Sequence, residues 1–490
     1  MEEYVIGLDL GTQQIKILIV DREGNIVYND TEVHPLPFSL QIGWAEQHPT
    51  DWWNTLIKLT KKIKKILLKK VVAIGFSVQR SAVIPIDRRG IPLRPAITWM
   101  DFRTPSPEKE PKLASKILWI KENEPEIYDK AYKFVDAHAW LAMKLTGNAV
   151  SSHSSLPREL INPEKFDYNY EIIDFLNIRE KVPDLLPPGE VLGYITKTAS
   201  EETGLPEGLP VVVGAGDKQC ETLGTGCIRP NMAMVSCGTA ATIGKISFKF
   251  VKSPHFIVRV SAIPGAWNPE AGNAGFSLYS WFIKQFGIKG RKGLPPEEIM
   301  DAMAAKVRPG AEGLILLPHC QLVWPGGDIY QRGAILGWSI SHTSGHFYRM
   351  LLEGIAYNLR VHMENMEKAL GQRIEEIRVC GGGARSNLTA RIFADIFGKP
   401  VVKTLPDNLV SYAGAMGAAI DAAKGGGLYK SVGDAANNMV HPKDSILPNN
   451  NIHEFYNKLY EVFKEIEPSV RELHVKLVKY SSLINQPNFG

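Results

Sequence analysis

The sequence predicts an α/β fold, and three observations carry that prediction. Short β-branched runs such as VVAIGFSV (71–78) and LPVVVGAGD (209–217) read as strands. Apolar residues at helical spacing lie between such runs. One strand-turn-strand pattern built on Gly-Thr occurs twice, at Gly11-Thr12 and Gly238-Thr239, and so divides the chain nearly in half. Strands alternating with helices build sheets covered by helices. The 490 residues suffice for roughly two to four such domains.

The first element is VIGLDLGTQQIKILIV (5–20). A carboxylate on an apolar strand is costly unless something pairs with it. Asp9 therefore faces either water at the strand end or a partner such as a metal ion. Gly11-Thr12 offers the close backbone approach, N–H groups and hydroxyl that a phosphate needs. The stretch matches neither GxxxxGK[ST] nor GxGxxG. Ile15–Val20 is a second apolar run and DREGN (21–25) a turn, so a phosphate would rest on a hairpin; an ordinary hairpin with an exposed Asp9 is the structural alternative.

Asp217 follows the run ending in Gly214-Ala215-Gly216. A carboxylate just past a strand end projects into the crevice where open α/β sheets place their chemistry. There it can accept a proton from an alcohol, although Gly-Asp is also a common turn. About twenty residues later, NMAMVSCGTAATIGKIS (231–247) repeats the hairpin grammar, which suggests a duplicated domain with a cleft between the copies. The third landmark is EEIRVCGGGARSNLTARIFADIFGKPVV (375–402). Ile377–Cys380 reads as a strand, Gly381-Gly382-Gly383 as a turn, and Ser386 or Asn387 as the N-cap of a helix closed by Gly398 and Pro400. Such a turn lets a flat or anionic ligand lie on bare backbone at a helix N-terminus; a tight strand-helix connection is the alternative.

Bulk properties exclude other classes. Lysine and arginine number 56 against 52 acids, a net charge of +4 that argues against nucleic acid as a partner. The lysines of KLTKKIKKILLKK (58–70) alternate with apolar residues at helical spacing and read as a solvated helix face. Five cysteines without CxxC spacing suggest a reducing, cytoplasmic setting with neither disulfides nor zinc. No apolar run reaches the length of a membrane span. Trp44, Trp52 and Trp53 read as core, and His138 and His319 as structural histidines.

Taken together, the landmarks resemble the FGGY family of carbohydrate kinases, within the actin-like ATPase superfamily, nearly end to end. The matching stretches are GLDLGTQQIK, GWAEQHPTDWW, GFSVQRSAVIPIDRRGIPLRPAITWMDFRT, KILWIKEN, KLTG, GAGDKQC, VSCGTAATIG, RGAILGWSISHTSGHFYRMLLEGIAYNLR and CGGGARSNLTARIFADIFGKPV. The resemblance implies two actin-like (ribonuclease H-like) ATPase domains with ATP and Mg2+ in the cleft between them, divided at 245/246. Residues 1–245 would hold the acceptor, the first hairpin and the catalytic Asp, and 246–490 the adenosine pocket.

By the same resemblance, Asp9 associates with the metal and Thr12, Gln13 and Lys16 form the first phosphate hairpin. Gly238 and Thr239 form the second, and Gly382, Gly383, Ala384 and Asn387 line the adenosine pocket. Asp217 is the general base, close to metal and acceptor. Gln79, Arg80, Ser81, Asp101 and Arg103 fall at acceptor positions, with a purely structural Asp101–Arg103 ion pair as the alternative. Departures occur where substrate is chosen. Arg80-Ser81 stands where xylulose kinases typically carry Met-His and glycerol kinases Arg-Glu, and Lys218 where they have Asn or Gln. The expected activity is ATP-dependent phosphorylation of a small sugar, a ketose such as a pentulose, with a glycerol or other polyol kinase as the alternative. From another class, the rival is an actin-like or chaperone-like ATPase switch, which would need neither Asp217 nor the QRSA and WMDFRT segments. A homodimer is compatible with the resemblance.

Overall fold

The computed structural model describes residues 2–41, 43–103, 115–286, 289–290, 293–320 and 330–484. Thr104, the last residue of the WMDFRT stretch, lies outside them. Two mixed sheets organise the chain. The first contains β1 (Tyr4–Leu10), β2 (Gln14–Asp21), β3 (Ile26–Val33), β4 (Val71–Val78), β5 (Val191–Tyr194) and β6 (Pro210–Val212), in the order β5-β6-β4-β1-β2-β3. The second contains β7 (Met232–Cys237), β8 (Ala240–Gly244), β9 (Ile257–Val260), β10 (Trp267–Ala274), β11 (Glu376–Cys380), β12 (Val401–Lys403) and β13 (Asp444–Ile446), in the order β9-β10-β8-β7-β11-β12-β13.

The repeat read from two Gly-Thr turns extends to this topology. In each sheet the first hairpin strand has its antiparallel partner on one side and two successive parallel strands on the other, β4 then β6 beside β1 and β11 then β12 beside β7. Both strands of the second hairpin hydrogen-bond within the second sheet, although the expected division at 245/246 assigns them to the first half. The parallel partner that fixes this, β11, lies some 140 residues downstream and leaves no local signal.

Helices cover the sheets. α1 (Pro49–Lys61) begins with Pro49 in its first turn and buries Trp52, Trp53, Leu56 and Leu59. The basic run reads as expected up to Lys61; a separate short turn then leaves Ile66 exposed. α2 (Ala137–Thr146) is capped by the Asp136 carboxylate, which accepts from Ala139 N–H. His138 on it is buried, one ring nitrogen facing Val150 O at 3.1 Å and the other accepting from Gly214 N–H at 3.2 Å, a structural histidine. Among the described residues no helix is long and apolar enough to cross a membrane.

The two halves meet where α3 (Asp217–Gly224) crosses α6 (Ala413–Gly425). A Cβ at Gly224 would collide with the Ala413 carbonyl, and one at Gly417 with the Cys220 carbonyl. On its other side α6 lies on β1 and β4, where Gly7 and Gly75 leave room for the Ala415 and Ala418 carbonyls. Alanine and glycine dominate α6 because two surfaces approach its backbone at once.

Asp421 is an exception inside this helix. It is fully buried, and neither carboxylate oxygen has a hydrogen-bond partner among the described residues. Burial raises its pKa well above the ordinary value, against only a weaker pull from Lys424. A raised folded-state pKa contributes stability below the unfolded value that is lost as pH rises through the folded one. Asp421→Ala is therefore expected to stabilise the protein by ~1 kcal/mol at pH 7, with the gain shrinking below about pH 4. Thermal melts at the two pH values check this.

Candidate active site

The first hairpin closes tightly, with Gly11 N–H donating to Gln14 O at 3.0 Å. Thr12 Oγ1 accepts from Trp99 Nε1 at 2.9 Å, and Thr12 O from Gln47 Nε2 at 2.9 Å. Gln13 anchors the turn through its carbonyl, which accepts from His34 N–H. Lys16 Nζ reaches out of the first sheet to Ser411 O, 2.7 Å away at the approach to α6.

Asp9 stands one strand residue before this turn, where Ser77 Oγ donates to its Oδ1 at 2.7 Å. A Cβ on Gly414, in the first turn of α6, would lie 2.8 Å from its carboxylate. Burial pushes the Asp9 carboxyl up; Lys16 and Ser77 pull it down, and the Glu221 and Asp217 carboxylates push it further up. A desolvated carboxylate near two others is a donor set suited to a divalent cation. Among the described residues no group of three or more His, Cys, Asp and Glu could hold a metal ion by itself; a cation at Asp9 would need water or ligand oxygens to complete its shell. The acid on the apolar strand is thus held by Ser77 on one side and lies against Gly414 of α6 on the other.

Asp217 opens α3, with Gly216 in extended conformation before it. A Cβ at Gly216 would fall on the side chain of Arg80, so glycine lets Arg80 lie across the turn. Arg80 Nε sits 2.9 Å from Asp217 Oδ1. Lys218 Nζ is 3.6 Å from Asp217 Oδ2, 2.8 Å from Glu221 Oε2, and donates to Ser236 Oγ on β7 at 3.1 Å. Burial alone would raise the Asp217 carboxyl; Lys218 and Arg80 outweigh it and hold the group below the ordinary carboxylate range. Asp217 is thus an anion at neutral pH, competent to accept a proton.

The acceptor segments divide into two groups. Gln79 is buried and donates through Nε2 to Gln47 Oε1 at 3.1 Å, and Gln47 in turn holds Thr12. Ser81 takes a left-handed φ of 61°, its N–H donating to Ser155 O and its carbonyl accepting from Lys116 Nζ at 2.7 Å. Arg80, between them, meets Asp217. Asp101 and Arg103 form the second group. Their side chains are buried and paired at 2.8 Å, Arg103 also reaches Glu46, and its guanidinium lies 3.9 Å from the Trp44 ring centroid and 4.5 Å from that of Trp119.

On the second sheet, Gly238 and Thr239 lie beside the triple-glycine turn, because the Cys237 backbone occupies the space a Cβ of Gly381 would need. Gly381 has a φ of 86°. Gly382 faces open space, whereas a Cβ at Gly383 would overlap the Phe276 ring, so Gly383 is a packing requirement as well. Ala384 is buried. Ser386, not Asn387, caps α5 (Asn387–Phe397), accepting from Thr389 N–H at 3.0 Å, while Asn387 Oδ1 accepts from the buried Lys403 Nζ at 2.8 Å.

Sequence reasoning missed Gln47, Ser77, Lys116, Arg259 and Glu270. Gln47 lies within GWAEQHPTDWW, and Ser77 faces Asp9 in parallel register. Arg259 and Glu270 carry no motif.

Comparisons with known proteins give the family. The N-terminal domain of the FGGY family of carbohydrate kinases matches residues 4–110 and 109–224, and its C-terminal domain residues 233–425. The chain is 30% identical to "Xylulose kinase" of Staphylococcus epidermidis, covering 98% of this chain and 99% of that protein. It is also 30% identical to "Glycerol kinase 2" of Thermotoga maritima, covering 87% and 91%. The crystal structure of xylulose kinase from Rhodospirillum rubrum superposes with a TM-score of 0.83 at 28% identity, over 96% of this chain and all of that one. The fold is the two-domain actin-like ATPase fold, and the switch without an acceptor is set aside. Matched in both halves, this ATP-dependent sugar kinase belongs to the FGGY family of carbohydrate kinases.

Proposed function

We propose that this kinase transfers the γ-phosphoryl group of magnesium-bound ATP to a hydroxyl of a small ketose, a pentulose such as xylulose. The observation that carries the acceptor side is Arg80, 2.9 Å from Asp217, followed by the small Ser81 rather than an acid. The kinship with xylulose kinases over the full length supports the same reading.

In this reading Asp217 takes the proton of the acceptor hydroxyl as its oxygen bonds to the γ-phosphorus and the bond from phosphorus to the ADP oxygen breaks. Phosphoryl transfer asks for positioning and charge neutralisation more than for covalent chemistry. Lys16 and the backbone of the two Gly-Thr turns bind and orient phosphate oxygens. Magnesium supplies charge neutralisation at the phosphates, and Asp9 would hold it through water. The Gly382 turn and Asn387 receive the adenosine.

Steady-state kcat/KM across pentuloses, hexuloses, pentitols, erythritol and glycerol tests the acceptor. Pentuloses are expected to lead. Glycerol is expected to trail by as much as ~10⁴-fold, because a short triol leaves buried polar groups unpaired. Glycerol as the best acceptor would overturn the ketose assignment and favour the polyol reading that the Thermotoga maritima relative brings.

A further inference from the structure

Arg80 is already committed to protein carboxylates. Besides Asp217, its Nη1 donates to Glu270 Oε1 at 2.5 Å, and Glu270 Oε2 accepts from Gln219 Nε2 at 3.1 Å. Glu270 is buried and belongs to β10 of the second sheet, so the contact joins the acceptor side of the first domain to the second domain. Arg259 shares its face. In the antiparallel pair Arg259 lies opposite Asn268, two residues from Glu270, so all three project the same way. Arg259 Nε stands 3.3 Å from Glu270 Oε1 and, although buried, has no hydrogen-bond partner among the described residues.

We propose that Arg259 and Glu270 complete the acceptor site from across the cleft: Glu270 holds Arg80 against Asp217, and the Arg259 guanidinium hydrogen-bonds oxygens of the acceptor. The proposal rests on the sugar-kinase reading of Asp217 above. A guanidinium carries five donors and no acceptor; the carboxylate in contact with this one, Glu270, is already shared with Arg80 and Gln219, and Asp217 acts on it only as a nearby charge. Burial and the nearby Arg80 pull the Arg259 pKa down to about 10, with Arg158 adding to the crowding of cations. Acceptor hydroxyl or carbonyl oxygens would fill the unmet donors. Because both residues come from the second sheet, the acceptor is gripped fully only with the domains together, which couples sugar binding to the geometry of the cleft.

The test varies sugar and ATP separately in wild type and Arg259→Gln, using the best acceptor of the panel, with Glu270→Gln alongside. Arg259→Gln is expected to raise the sugar KM by ~10–100-fold, the worth of a charge-assisted hydrogen bond or two, while the ATP KM moves by less than about threefold. Glu270→Gln leaves Arg80 wholly to Asp217. The acid limb of its kcat–pH profile should shift to lower pH as kcat falls, a change that loss of packing alone would not cause. An unchanged sugar KM in Arg259→Gln, or an equal rise in the ATP KM, would overturn the proposal even if Glu270→Gln failed to fold. Wild type inactive on the whole panel would sink the acceptor reading and this inference together, whereas active wild type with an indifferent Arg259→Gln sinks this inference alone.

Discussion

Asp217→Asn is expected to lower turnover by ~10²–10⁴ while nucleotide binding survives. Asparagine keeps the shape of the side chain at the start of α3 and can remain beside Arg80, which retains Glu270. It loses the charge that accepts the proton. In the wild-type enzyme Lys218 and Arg80 overcome burial and hold the Asp217 carboxyl low. The base is therefore ionised throughout the neutral range, and kcat should fall only as pH drops through that depressed value, below the ordinary carboxylate range. Rapid-quench single turnovers across pH, with calorimetry for ATP, check both halves. A variant with near-normal turnover would remove Asp217 from the mechanism.

Gly238→Val is expected to weaken ATP by ~10–100-fold, the loss of one or two charge-assisted hydrogen bonds from the backbone to phosphate, and to leave sugar affinity nearly unchanged. The fold should tolerate the substitution. The nearest atoms to a Cβ at 238 are Ala240 O at 3.6 Å and Ser236 Oγ at 3.7 Å, ordinary contact distances. The methyl groups instead enter the space above the Gly-Thr turn, where the proposed function puts the phosphate. Calorimetry on folded Gly238→Val that returned wild-type ATP affinity would refute the assignment of this hairpin to phosphate. Gly383→Ala offers a contrast, since its Cβ meets the Phe276 ring and its loss should register in thermal stability as well.

What the sequence made legible was local. Glycine turns, β-branched runs and the Ser386-Asn387 cap signal are written within a few neighbouring residues, so both hairpins, the triple-glycine turn and Asp217 could be found there. What it concealed was pairing at long range. Arg80 meets Glu270 from 190 positions away, and the acid that follows Arg in glycerol kinases has no counterpart at Ser81; a carboxylate reaches that neighbourhood from another sheet. Asp101 and Arg103 matched acceptor positions by order in the chain, but stacking of Arg103 against Trp44 and Trp119 turns them inward. The same blindness set the expected division after the second hairpin, whose sheet partners arrive only later in the chain.

The crossing of α3 and α6 has a mechanical meaning. Most helix pairs interlock through side chains, like meshed gears, and resist relative rotation. Here backbone meets backbone at Gly224 and Gly417, and a smooth joint of this sort opposes separation far more than swivelling. It can serve as the fulcrum of a lever. Asp9, packed against Gly414, lies beside that joint. The Arg80–Glu270 contact is a second tie between residues of the two sheets, one that a swivel at the joint would have to break or carry along.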